Sequence, residues 1–320
     1  MKYIEISIKD ILLTGKGFDD HLVSFPLDNP AVAASVRKLG IINPPVLITT
    51  AGQKYKVICG YKKILAGRKL GMKNIAAKVF DRGEIDGRTA LLTAVTENAV
   101  SRGLNAVEIA LAVNKLQKLS VPIDETVLKL LNIPRHLVVA YTGLLALDTP
   151  LKKAVAAGAL TPAHAFLLEK LDPEDRRTLG GLFIRTMRPN VNEAKEIIRY
   201  LDDLKIRFSK DNMRGVLDRG GLRQIIADKK LNPREKVDRL RGALKTLRYP
   251  LITEKEDCFR QKLKNAGLPH SVLVSHSKYF EGNELKIDCT VRSFEELKHI
   301  LAALSEKEGA VRDLLRIIKE

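Results

Sequence analysis

The chain has 320 residues, 45% hydrophobic and 29% charged, which excludes wholesale disorder and, at ~100–200 residues per domain, predicts two or three domains. No run approaches the ~18–20 consecutive apolar residues of a membrane helix, and the opening MKYIEISIKD lacks a signal peptide's apolar block. Only three cysteines occur, Cys59, Cys258 and Cys289, too scattered for a disulfide framework or a zinc knuckle, so a cytoplasmic protein with no membrane partner is expected. Against 38 Asp and Glu stand 55 Lys and Arg, a formal charge of +17 that calls for a polyanionic partner, because Lys and Arg displace the counterions condensed on phosphate. Aromatic residues are 5% and tryptophan is absent, leaving few platforms for stacking single-stranded bases. Double-stranded DNA is therefore the expected ligand.

In chain order, residues 3–8 alternate as a strand, and residues 31–39 read as a short helix stopped by Gly40. Two β-rich runs follow Pro44 and Pro45, over 46–50 and 55–59, joined by a turn-like Ala51-Gly52-Gln53. Gly60 opens a helix to about residue 70, and a strand over 75–80 follows. From about residue 88 the pattern is helical, with Asn105 and Glu108 at capping-box spacing. Prolines at 122, 134, 150, 162, 173 and 189 predict a compact bundle of short helices, because proline is tolerated in a helix's first turn. Residues 210–250 are basic and poor in large apolar residues, which predicts either a solvated linker helix or a DNA-tracking segment containing Lys229 and Lys230. A helix over 254–266, strands over 271–276 and 285–291, and helices to the end complete the chain. The expected fold is α+β: an α/β domain over 1–103, an all-α domain over 104–210, a basic linker over 211–252 and a small α/β domain over 253–320.

Three constellations could carry chemistry. The first is GYKKILA over 60–66, where a strand runs into a helix start. A glycine there lets the backbone approach a ligand, and the helix N-terminus offers N–H groups and partial positive charge to an anion. Lys62 and Lys63 oppose the helix dipole unless such an anion is present. The second is Glu97-Asn98 with Arg102 near a helix end, side chains able to order a divalent cation or polar ligand atoms. The third is DETVLKLLNIPRHLVV over 124–139, a capped helix, a tight turn at Asn132 and a second helix, the pattern of a helix-turn-helix.

Their order resembles that of the ParB family of chromosome and plasmid partition proteins. SVRKLGIINPPV over 35–46 resembles the family's first box, and GYKKILA its GxxRxxA box with Lys63 in the arginine's place. Glu97-Asn98 followed by Leu104-Asn105 and Glu108 resembles its ENxxR and LN..E segment, and GALTPAHA over 158–165 the segment after its helix-turn-helix. The closing helix–strand–strand–helix pattern resembles its dimerisation domain. The resemblance implies a ParB/sulfiredoxin-like N-terminal domain binding CTP with Mg²⁺, a helix-turn-helix domain, and a homodimer that acts as a CTP-switched clamp on nucleoid DNA beside a ParA-type ATPase. It assigns Gly60, Lys62, Lys63, Ala66, Glu97, Asn98 and Arg102 to nucleotide, with Glu97 and Asn98 also at Mg²⁺ and Glu97 as the candidate catalytic residue. Thr126, Arg135, His136, Tyr141, Thr142, Lys229 and Lys230 are assigned to DNA.

Departures from the pattern bear on turnover. Tyr61 stands where the family carries an acid, and Ser101 falls at the ENxxR arginine with Arg102 one position late. Whether CTP is hydrolysed, as by a weak CTPase, therefore stays open. The alternative is a ParB-like transcriptional or nucleoid regulator that binds DNA without hydrolysis. The second helix of the DNA motif is apolar, with few groups of the kind that read base edges. A redox or kinase reading, suggested by the fold shared with sulfiredoxin, would need a reactive thiol, and Cys59 is the nearest one.

Overall fold

The computed structural model describes residues 1–14 and 19–319, which divide into two compact units, 1–191 and 192–320. In the first unit, β1 (Lys2–Ser7), β2 (Ile11–Leu12), β3 (Val46–Thr49), β4 (Tyr55–Cys59) and β5 (Asn74–Phe80) form one sheet in the order β1-β5-β3-β4-β2. β1–β5 and β3–β4 pair antiparallel, while β3–β5 and β2–β4 pair parallel. Alternation along β4 decides how the layers stack. Val57 and Ile58 are both fully buried, yet they point to opposite faces.

On Val57's face lie Leu47, Ile75, Ala77 and Val79 from the sheet, covered by Tyr61 and Ile64 of α2 (Tyr61–Lys69), which follows α1 (Pro30–Leu39). On Ile58's face lie α3 (Gly87–Arg102), α4 (Ala106–Lys118) and α5 (Glu125–Leu131). α4 is buried almost all round, through Val107, Ala110, Val113 and Leu116 among others. Its start is fixed as its sequence predicts: Asn105 caps Val107 and Glu108, and Glu108 returns to the Asn105 N–H. The unit continues with α6 (Val138–Gly143), α7 (Thr149–Ala156), α8 (Pro162–Glu169) and α9 (Pro173–Arg185), the last three having proline in the first turn. Short helices are the result, as the proline spacing predicts.

The second unit holds α10 (Val191–Arg207), α11 (Met213–Leu217), α12 (Gly220–Ala227), α13 (Pro233–Arg248), α14 (Pro250–Ala266), the antiparallel hairpin β6 (Val272–His276) and β7 (Leu285–Cys289), α15 (Phe294–Glu306) and α16 (Glu308–Lys319). Residues 211–252, read from sequence as a basic linker, are three helices that bury Met213, Val216, Leu222, Val237, Leu240 and Leu244. The apolar residues of this stretch are few but fall at helical spacing, and the flanking cations are used locally. Arg234 pairs with Glu193 at 2.6 Å, Arg241 Nε with Glu196 at 2.7 Å and Arg248 with Asp203 at 2.6 Å, tying α13 to α10. Phe259, Val274, Leu314, Ile317 and Ile318 form the core over the hairpin. Among the described residues no helix is long and apolar enough to cross a membrane.

Candidate functional site

β4 delivers the chain to Gly60 at φ +96°, ψ 14°, and α2 begins at the next residue. Only glycine fits there twice over: the backbone is left-handed, and a Cβ would lie 2.7 Å from Pro45 Cβ. No side chain caps α2, and its first turn carries no acid. The start of α2 therefore keeps its positive end undiluted, with Lys62 and Lys63 in the first turn.

Gly60, Lys62 and Lys63 line one cavity of ≈ 80 Å³ with Glu97, Asn98, Ser101 and Arg102 of α3 and with Ser24 and Val32. Six of the seven residues assigned to nucleotide are thus brought together from segments far apart in sequence. Ala66 is not among them. It is buried two turns into α2 and lines a neighbouring cavity of ≈ 170 Å³ with Leu27, Asn29, Ala33 and Lys69, and Lys62 borders both. The first cavity falls below the ~300–1,000 Å³ of pockets that enclose whole ligands. It has the dimensions of a phosphate subsite.

Two of the cations in this cavity, Lys62 and Arg102, share one carboxylate. Glu108 is fully buried and takes Arg102 at 2.7 and 2.9 Å in a two-pronged contact, Lys62 at 3.1 Å, and the N–H groups of Phe25 at 2.9 Å and Asn105 at 3.1 Å. Burial raises its pKa, but the Arg102 hydrogen bonds, the Phe25 N–H and the charges of Arg102 and Lys62 outweigh burial and hold the carboxyl below its ordinary value. Arg102 also donates to Asn98 Oδ1 at 2.9 Å, while Asn98 Nδ2 donates to the Ala94 carbonyl at 2.7 Å. Lys63 Nζ donates to the Asn43 carbonyl at 3.1 Å. Sequence reasoning identified Glu108 as a helix cap and as part of the LN..E segment, not as the shared partner of Lys62 and Arg102. Its capping spacing was visible, but its bonds to Lys62 and Phe25 cross between elements that no local pattern links.

Tyr61 also lines the cavity, but its ring is buried in the sheet core and its hydroxyl donates to the Val57 carbonyl at 3.0 Å. Cys59 is buried, and desolvation, with the Glu97 carboxylate beside it, pushes its thiol up to about 12. A thiol so placed is not the accessible, electropositive nucleophile that the redox reading needs. Among the described residues no cluster of three or more His, Cys, Asp or Glu side chains is arranged to hold a metal. Glu97 and Asn98 are the metal-capable pair in the cavity, a set that suits Mg²⁺ only in company with phosphate oxygens.

The helix-turn-helix pattern is present. Asp124 caps α5 through the Val127 N–H at 2.9 Å, and Asn132 makes the turn at φ +54°, ψ 47°. The second helix is a composite, a 3-10 turn over Arg135–Leu137 leading into α6. Thr126, Arg135 and His136 are exposed, and Arg135 reaches Glu125, the neighbour of Thr126, at 2.8 Å. That exposed pair is worth little and yields readily to a phosphate. Tyr141 packs edge-on against Phe166, 5.3 Å between centroids, and burial raises its phenol pKa. Thr142 donates back to the Val139 carbonyl at 2.8 Å. Those two side chains serve the helix and its packing, while Val139, 80% exposed, is the residue the helix presents. Lys229 and Lys230 are exposed in the second unit, in the bend between α12 and α13.

No protein-family model matches the chain. It is 27% identical over 168 residues to the probable chromosome-partitioning protein ParB of Campylobacter jejuni, covering 52% of this chain and 59% of that one. To the probable plasmid-partitioning protein ParB of Thermus thermophilus it is 26% identical over 229 residues, 71% of this chain and 72% of that one. To the nucleoid occlusion protein of Bacillus mycoides it is 29% identical over 175 residues, 54% and 59% of the two chains. The chain thus spans little more than half the length of two of these three relatives. At family level, the chain is similar to ParB-type partition proteins and to nucleoid occlusion proteins.

Proposed function

We propose that this protein is a DNA-binding partition protein whose grip on DNA is switched by CTP. The observation that carries the reading is the meeting of Gly60, Lys62 and Lys63 at the uncapped start of α2 with Glu97, Asn98 and Arg102 of α3 in one cavity. Similarity to a plasmid-partitioning protein over 71% of the chain supports it. In this reading the α2 start and Lys63 hold the phosphates, and Lys62 and Arg102 divide their charge between phosphate and Glu108. Glu97 and Asn98 would hold Mg²⁺, which would supply positive charge against the phosphates. Arg135 and His136 meet duplex DNA at the second helix of the helix-turn-helix, with Lys229 and Lys230 adding general affinity. The protein acts as a homodimer through residues 253–320, in the cytoplasm, on the nucleoid, with a ParA-type ATPase.

Retention on DNA tests the clamp. With CTP and Mg²⁺, the protein is expected to stay on closed circular DNA through a high-salt wash and to leave linear DNA of the same sequence, because an encircling dimer slides off ends whereas phosphate contacts dissolve in salt. Equal loss from both DNAs would count against a clamp.

The second reading, a regulator that binds DNA without hydrolysis, draws support from Tyr61, whose buried ring leaves no acid after Gly60, and from the nucleoid occlusion relative. Phosphate release from CTP stimulated by DNA would decide against it.

A further inference from the structure

A second groove of the first unit lies at the opposite end of α2 from the cavity described above. It encloses ≈ 790 Å³ beside the edge strand β2, between the end of α2, the start of β5 and the turn that links β1 to β2. Its floor is apolar: Ile8, Ile11 and Leu13 are nearly buried, and Leu12 and Met72 are half-exposed into it. Its rim is cationic, with Lys9, Lys54, Arg68 and Lys73, all exposed, arriving from four separate stretches of chain. Among the described residues no Asp or Glu lines the groove.

Among the described residues none of these four side chains has a hydrogen-bond or ion-pair partner. Their neighbours differ: Lys56 pairs with Asp20 at 2.6 Å and Lys69 with Asp28 at 2.8 Å. Arg68 has a local purpose in the last turn of α2, where a cation offsets the helix dipole. Lys54 and Lys73 have no such duty, and Lys9 sits only in a three-residue 3-10 turn. Four like charges around an apolar trough make a local positive potential that favours an anionic occupant able also to cover the floor.

We propose that this groove docks an acidic peptide segment of a partner protein, with one or two large apolar side chains entering the trough and flanking carboxylates meeting the cationic rim. The floor is what favours a peptide over nucleic acid. A phosphate backbone has nothing to place against Ile11, Leu13 and Met72, and among the described residues no aromatic side chain lines the groove to stack a base. A trough of this volume accepts apolar anchors of the kind that dominate peptide docking.

Fluorescence anisotropy on the full chain tests this with a labelled twelve-residue peptide of glutamate and leucine. A serine-for-leucine version of the same charge and a random-sequence DNA duplex serve as the other probes. Arg68→Glu with Lys73→Glu, and separately Lys9→Glu with Lys54→Glu, should each weaken the glutamate–leucine peptide by about tenfold or more. Lys118→Glu, an exposed charge reversal on α4 away from the groove, should leave it within about twofold. Unchanged thermal unfolding identifies which double variant reports on binding rather than on folding. The proposal is overturned if Lys118→Glu weakens the peptide as much as the rim variants do, or if the serine peptide binds as well as the leucine one. It is equally overturned if the rim variants cost duplex binding and spare the peptide, which would make the groove a nucleic-acid surface. None of these readouts involves CTP or the cavity at the start of α2, so they stand apart from the partition reading.

Discussion

Glu108 carries more of the first unit's polar organisation than any other single side chain described. It joins the Phe25 backbone, the first turn of α2, the end of α3 and the start of α4 through one buried carboxylate. Removing it leaves Arg102 and Lys62 facing each other without a counter-charge, so Glu108→Ala is expected to cost about 3–5 kcal/mol in chemical denaturation. The pH dependence has a definite sign. The carboxyl sits below its ordinary value in the folded chain and returns to it on unfolding, so the unfolded chain binds the proton more readily. The stabilisation is complete above the unfolded value and is lost as pH falls through the folded one. Denaturation midpoints measured from neutral to acid pH should fall more steeply for the wild type than for Glu108→Gln, and parallel curves would mean that the carboxylate is not held as described.

At the scale of elements, two left-handed residues set the geometry of the two motifs. Gly60→Ala must place a Cβ against Pro45 in a backbone that alanine resists, and a loss of about 1–3 kcal/mol is expected. Asn132 makes the turn of the helix-turn-helix, so Asn132→Ala should cost about 1–2 kcal/mol while Asn132→Gly should be nearly neutral. Thermal unfolding of the three variants checks both, and equal effects of alanine and glycine at 132 would remove the backbone explanation. Both positions were legible in the sequence, because glycine after a strand and asparagine in a helical hairpin are local signals. So was the capping box of α4. Less legible was what long side chains do across the fold. Tyr141 packs on Phe166 and Thr142 donates to the Val139 carbonyl, contacts that no local sequence pattern announces. The arginines of residues 234–248 likewise read as a phosphate track until α10 supplies Glu193, Glu196 and Asp203 as their partners. Charge is visible in a sequence; its nearest counter-charge, when it comes from a distant element, is not.

At the scale of the whole molecule, the hairpin of the second unit is covered incompletely. Val274 is buried under α14 and α16, but Ile287, paired with it on the same face of β7, is 37% exposed, and Val291, Phe294 and Leu301 beyond it are more exposed still. A two-stranded hairpin is marginal without a full apolar cover, and a second copy would supply it. Truncation after Arg248 is therefore expected to yield a monomer in sedimentation without nucleotide or DNA, whereas the full chain sediments as a dimer; a dimeric truncated chain would place the interface elsewhere. The central claim, however, rests at the start of α2. Equilibrium dialysis of the full chain with Mg²⁺ against labelled CTP, ATP, GTP and UTP tests it most directly. The account predicts retention of CTP above the other three and its loss in Lys63→Ala with unchanged thermal unfolding. Failure of the wild-type protein to retain CTP would contradict it.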